Sequence, residues 1–169
     1  GSGGDTLTVA STHANNTVLN ALGGGDKVHV QTVAGVTVVK TGADADTINV
    51  GSKAPAVNGN VNGISASLTV NGEAGSDTVN VDDTSDTSGN AGNLTATALT
   101  GLGMSAGITY GTVEALNISL GSGGDTFTVA STHANNTVLN TLGGGDTVHL
   151  QTVAGVTVVN TGDGTDTTN

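Results

Sequence analysis

The segment Gly1–Gly42 recurs as Gly121–Gly162, 120 residues later, with five substitutions: Leu7/Phe127, Ala21/Thr141, Lys27/Thr147, Val30/Leu150 and Lys40/Asn160. A chain that restarts its own text so faithfully reads as part of a tandem array. Fixed-period self-similarity constrains the fold before any local propensity does. The expected organisation is one repeat over 1–120 and the start of a second over 121–169, continuous with the first.

A shorter period runs inside the long one. Seven segments share a glycine-rich turn, Asp, usually Thr, and then apolar, polar, apolar. They are Asp5–Val9, Asp26–Val30, Asp46–Val50, Asp77–Val81, Asp125–Val129, Asp146–Leu150 and the shorter Asp166–Thr168. Such alternation marks a strand buried on one face. The aspartates are spaced 21, 20, 31, 48, 21 and 20 residues apart, so a coil of short strands and tight turns takes about 20 residues. Thr17–Asn20, Val36–Val39, Ser67–Val70, Leu94–Ala98 and Leu116–Leu120 supply the second strand of each coil. No stretch has a 3.6-residue period, and Asn58-Gly59, Asn62-Gly63 and Asn71-Gly72 mark turns. The expected fold is all-β, a parallel β-helix or β-solenoid, with regular coils over 1–51 and enlarged coils with insertions over 52–120. The 48-residue step reads as two enlarged coils. Five coils per repeat would rise about 24 Å at the usual strand spacing.

Composition agrees with a thin stacked core. There are 28 glycines, one Pro, one Phe, one Tyr and no Trp or Cys, and the apolar residues are mostly Val, Ala and Leu. A narrow tube lined by small β-branched side chains needs few rings. Three lysines against 14 acids give a net charge of −11, which argues against nucleic acid or an anionic membrane as partner and favours cations. No run of about 20 apolar residues is present to insert in a bilayer. Unpaired strand edges at the ends of a stack of coils point to the chain itself as partner, end to end or side by side in fibres.

Stacking that orders the valines also stacks the acids. Asp5, Asp26 and Asp46 should lie one above another, as should Asp125, Asp146 and Asp166. Two like charges about 4.8 Å apart repel by roughly 0.9 kcal/mol even in water. Either each carboxylate accepts N–H bonds in its own glycine turn, or a divalent cation lies between coils.

Gly162-Asp163-Gly164-Thr165-Asp166-Thr167 resembles half of the GGxGxDxUx repeat of RTX-type (hemolysin-type) calcium-binding β-rolls. Ser2–Asp5, Gly23–Asp26 and Gly42–Asp46 are looser versions, and Ile108–Ile118 running into Gly121–Thr126 resembles spacer text of giant repetitive bacterial surface proteins. The resemblance implies an extracellular or cell-surface location and calcium as cofactor, held between turns by Asp carboxylates and glycine-turn carbonyls. It nominates Asp5, Asp26, Asp44, Asp46, Asp77, Asp125, Asp146, Asp163 and Asp166 as metal ligands. The chain departs from that family in having one such turn per roughly 20 residues, where RTX repeats have two per coil; the opposite turn, Thr12–Asn16, carries no acid.

The four histidines are two positions seen twice: His29 and His149 should face solvent from a strand, and His13 and His133 lie in the non-acidic turn. Nothing places a nucleophile beside a base, and with no Arg, and with Lys27 and Lys40 replaced in the other copy, no catalytic residue is nominated. Thr6, Thr47, Thr78, Thr126 and Thr147 should form an outward threonine file, an arrangement some ice-binding solenoids use. Two functions follow. One is a non-catalytic structural repeat of a secreted bacterial fibre or giant surface protein, giving length, stiffness and self-association, with calcium setting rigidity. The other is an adhesin or ligand-binding module for sugar, ice or matrix, acting through the insertions Ser52–Asn71 and Asp82–Leu120.

Overall fold

The computed structural model describes residues 1–169. Sixteen short strands and no helix are formed, in the order β1 (Thr6–Val9), β2 (Thr17–Asn20), β3 (Lys27–Val30), β4 (Thr37–Ala43), β5 (Thr47–Val50), β6 (Leu68–Ala74), β7 (Thr78–Asp82), β8 (Ala91–Leu94), β9 (Ala98–Gly101), β10 (Gly107–Gly111), β11 (Ala115–Ser119), β12 (Thr126–Val129), β13 (Asn136–Asn140), β14 (Thr147–Leu150), β15 (Thr157–Asn160) and β16 (Thr167–Thr168). They make two sheets. Seven strands stack as β1-β3-β5-β7-β11-β13-β15, all parallel, and nine as β2-β4-β6-β10-β9-β8-β12-β14-β16. The chain is all-β with two mostly parallel sheets, consistent with the expected solenoid winding.

The alternating pattern explains each strand. In β5, Ile48 and Val50 are fully buried while Thr47 and Asn49 are half exposed. Parallel pairing in register then stacks like on like, as in Val28↔Ile48 and Val30↔Val50. One continuous cluster of 26 buried side chains fills the space between the sheets. Close approach at the corners requires glycine. A Cβ on Gly42 (φ 105°) would strike the Leu22 carbonyl of the adjacent turn, and Gly162 (φ 73°) repeats this against Leu142.

Two features depart from simple winding. The 48-residue step contains an antiparallel meander, β8-β9-β10, in place of two enlarged coils. The expected strand Leu94–Ala98 is split by a tight turn, in which Thr95 Oγ1 accepts the Ala98 N–H at 3.0 Å and the Thr95 N–H reaches the Ala98 carbonyl at 2.8 Å. Local hydroxyl bonds of this kind compete with the strand ladder. The reverse turn into β10 uses positive φ at Gly101, Leu102 and Gly103.

The second departure concerns the duplication. Eleven strands lie in the 120 residues from β1 up to β12, an odd number, so the second copy begins in the opposite sheet. β1 belongs to the seven-stranded sheet, and its sequence twin β12 to the nine-stranded one. The second copy nevertheless continues both stacks: β12 pairs with β8, and β13 pairs with β11.

Candidate functional site

The acids collect in two files, one at each corner. In the first, the N–H of Asp5 donates to Asp26 Oδ1 at 2.7 Å, that of Asp26 to Asp46 Oδ1 at 2.7 Å, and that of Asp46 to Asp77 Oδ1 at 2.9 Å. The file ends where the Asp77 N–H meets Glu114 Oε2 at 2.7 Å. In the second, the N–H of Asn90 donates to Asp125 Oδ1 at 2.8 Å, Asp125 to Asp146 at 2.8 Å, and Asp146 to Asp166 at 3.0 Å. The bonds therefore run between layers, not within each aspartate's own turn. The same stacking that brings the charges together supplies each with an N–H donor, which favours the ionised form.

Asp26, Asp46, Asp77, Asp125 and Asp146 are each at most 3 % exposed. Asp5 is exposed and Asp166 half-buried. Two nominated residues fall outside the files. Asp44, at φ 80°, turns outward and its Oδ2 accepts the Gly24 N–H at 3.0 Å. Asp163 is exposed, and its carbonyl accepts the Gly144 N–H at 3.0 Å.

Burial opposes the charges. Asp77 is pushed up to about 6, first by desolvation and then by the carboxylates of Asp46 and Glu114, against the pull of the Asp46 N–H bond. Asp125 is raised by desolvation first, with Asp146 and Asp86 adding repulsion. The sequence pattern missed the two ends of these files. Glu114-Ala115-Leu116-Asn117-Ile118 and Asn90-Ala91-Gly92-Asn93-Leu94 carry the same frame, with Glu or Asn in place of Asp.

A second acidic group also went unanticipated. Asp83 is buried and accepts the Val61 N–H at 3.0 Å, and desolvation pushes its carboxyl up to about 7, with Asp86, Asp125 and Asp82 repelling it. Asp86 moves the opposite way, held low chiefly by the Ser88 N–H. Together with Asp82, which accepts the Gly59 N–H at 2.7 Å, these acids pin the 52–64 segment to the body of the fold.

Calcium requires six to eight oxygens around one point. One carboxylate oxygen on each of Asp26, Asp46, Asp77 and Asp146 (Oδ2) is buried without a hydrogen-bond partner, so the donors are of the right kind. No three acids or histidines converge on a common point, so a cation there would draw most of its ligands from backbone carbonyls. The fit is one of chemistry, from one carboxylate per layer.

Two of the four histidines differ from expectation. His29 is only 5 % exposed, its Nδ1 3.1 Å from Asn49 Nδ2, and desolvation lowers its pKa with Lys27 adding to the effect. His133 stands edge-on to Tyr110 with ring centroids 5.8 Å apart and is lowered by burial. The threonine file is broken and divided: Thr6, Thr47 and Thr78 share a sheet with Lys27 between them, whereas Thr126 and Thr147 lie in the other. No protein-family model, curated protein or solved structure matches this chain.

Proposed function

We propose that the chain is a non-catalytic structural segment of a secreted bacterial fibre or giant surface protein: a β-solenoid rod that provides length, stiffness and self-association. The observation that carries this reading is the continuity of stacking. The second copy sets Leu116 against Thr137 and Phe127 against Gly92, strand on strand in both sheets. An architecture in which each layer touches only its neighbours gains length without redesign. β1, β2, β15 and β16 each pair on one side only, so further layers of the same kind can stack on either end.

In such an array the change of sheet matters. Each copy makes nine crossings between the sheets, four and a half windings, so equivalent surfaces alternate between opposite sides of the rod. Two copies would add eleven strands to each sheet, an axial period of about 53 Å. Five whole coils per copy would give about 24 Å and no alternation. A two-sided rod suits lateral bundling better than display of one flat face toward a lattice. Calcium enters as a stiffener at Asp26, Asp46, Asp77 and Asp146, whose spare oxygens it would satisfy.

Sedimentation across a concentration series, with electron microscopy of the concentrated chain, tests the proposal. Concentration-dependent filaments are expected. A strictly monomeric species with no filaments at any concentration would overturn it. The second reading, a ligand-binding module on a stalk, is favoured by one observation, a cavity beneath the 51–60 loop.

A further inference from the structure

The 51–60 loop folds back over the outer face of the seven-stranded sheet and roofs a cavity of about 280 Å³. It is held at several points. Gln31 Nε2 donates to the Ala54 carbonyl at 2.8 Å, the Asn58 N–H to Thr84 Oγ1 at 3.0 Å, and the Gly59 N–H to Asp82 Oδ2 at 2.7 Å. The Ser52 N–H closes the loop on the Asn60 carbonyl at 2.8 Å. A loop pinned at its start, middle and end needs little ordering when a ligand arrives.

The floor is a row of amides. Asn49, Asn80 and Asn117 occupy the same register position on β5, β7 and β11. Asn117 Nδ2 donates to Asn80 Oδ1 at 2.8 Å, Asn80 Nδ2 to Asn49 Oδ1 at 3.0 Å, and Asn49 Nδ2 faces His29 Nδ1 at 3.1 Å. Each amide has two N–H donors and a carbonyl with two lone pairs. The row uses one donor per residue, so each retains a second N–H and at least one free lone pair. Donors and acceptors therefore recur along the floor at strand spacing, about 4.8 Å.

The walls define what can lie on that floor. Pro55 and Val57 are apolar and exposed, Val57 by 77 %. No Lys or Arg lines the cavity, so an anion finds no countercharge. Asp82 is at the rim, but Oδ2 takes the Gly59 N–H and Oδ1 takes both the N–H and the hydroxyl of Thr84. That leaves one free lone pair, on Oδ2, a single ligand where a cation needs six or more. No aromatic ring is present to stack on a planar ligand. What remains is a group that donates and accepts at once, which is a hydroxyl, carried on a body with an apolar face.

We propose that this cavity binds one neutral saccharide unit, its hydroxyls on Asn49, Asn80 and Asn117 and its C–H face against Pro55 and Val57. A volume just below the usual range for small-molecule pockets suits one ring and not a longer chain. The proposal is independent of whether the rod forms fibres.

The test is saturation-transfer NMR and calorimetry on the full 169-residue chain. The probes are glucose, galactose, mannose, their neutral disaccharides, and galacturonate oligomers as the charged counterpart. Saturable binding of at least one neutral sugar is expected, weakened about tenfold or more by Val57→Asp. Val57 is mostly solvent-exposed, so that variant should melt with the wild type. Asn80→Ala should weaken binding similarly. Absence of binding by every neutral sugar at millimolar concentration, affinity unchanged in Val57→Asp, or preference for galacturonate would each overturn the proposal.

Discussion

Gly92 lies beside Phe127 in the nine-stranded sheet, and a methyl group on Gly92 would run into the Phe127 ring and come within 2.9 Å of Leu102 Cδ2. The pairing explains how the duplicated segment tolerates its one enlarged core residue. In the first copy the equivalent Leu7 pairs with Val28. In the second, the larger ring occupies the space that a side chain at position 92 would need. Gly92→Ala should therefore destabilise by about 1–3 kcal/mol through overpacking. Phe127→Leu should relieve most of that loss in the double variant, a non-additivity that urea unfolding of the four-member cycle measures directly.

Removing one rung of the acid file should expose its role. Asp46→Ala leaves the Asp26 N–H buried without its 2.7 Å acceptor, a loss of about 1–3 kcal/mol. Asp46→Asn keeps an acceptor oxygen and removes one of the stacked charges, so it should cost much less than Ala. The comparison belongs in calcium-free buffer, by chemical denaturation. Equal losses for Ala and Asn would mean that the charge, and not the hydrogen bond, stabilises the file.

The raised carboxyls set a pH dependence. Asp77 at about 6 and Asp83 at about 7 bind protons more tightly folded than unfolded. Their contribution is fully present below the unfolded value of 3.8 and is lost as pH rises through 6 and 7. The melting temperature should fall between about pH 4 and 7, the span from the unfolded value to the folded ones, and level off above it. His29 and His133, both lowered, work in the opposite direction: their contribution is lost as pH falls below 6.5. Asp83→Asn should flatten the upper part of the profile.

Calcium can be separated from the strand stacking. If the spare Oδ2 atoms of Asp26, Asp46, Asp77 and Asp146 hold calcium, millimolar calcium raises the melting temperature relative to EGTA. Asp26→Asn with Asp146→Asn should diminish that rise. An unchanged melting temperature would remove the metal from the account and leave the stacking intact.

Much of this was legible in the sequence because strand alternation and glycine turns are local. Asp46-Thr47-Ile48-Asn49-Val50 announces its strand, its buried face and its acid at once. The stacking of Asp26 on Asp46 followed from a 20-residue period. What stayed hidden depends on contacts between distant segments. The Thr95 turn, which converts two expected coils into a meander, depends on a hydroxyl choosing its own backbone. The burial of His29 rests on its seat beside Asn49, 20 residues away. The cavity required the 51–60 loop to be pinned to Asp82 and Thr84, and no periodicity encodes that.

The central claim is that the second copy stacks on the first while changing sheets, and it reduces to which residues are neighbours. Asn117 lies beside Val138 on adjacent parallel strands, while Thr128 lies beside Asn93 in the other sheet. The chain has no native cysteine, so paired substitutions report cleanly. Neighbouring register positions fall within the Cα separation that a disulfide spans, about 4.4–6.8 Å. Under mild oxidation, Asn80→Cys with Asn117→Cys should close an intramolecular disulfide, and so should Asn93→Cys with Thr128→Cys. Closure of neither pair in variants that remain folded would contradict the account, because five whole coils per copy put Asn117 in the sheet opposite Asn80, and Asn93 in the sheet opposite Thr128.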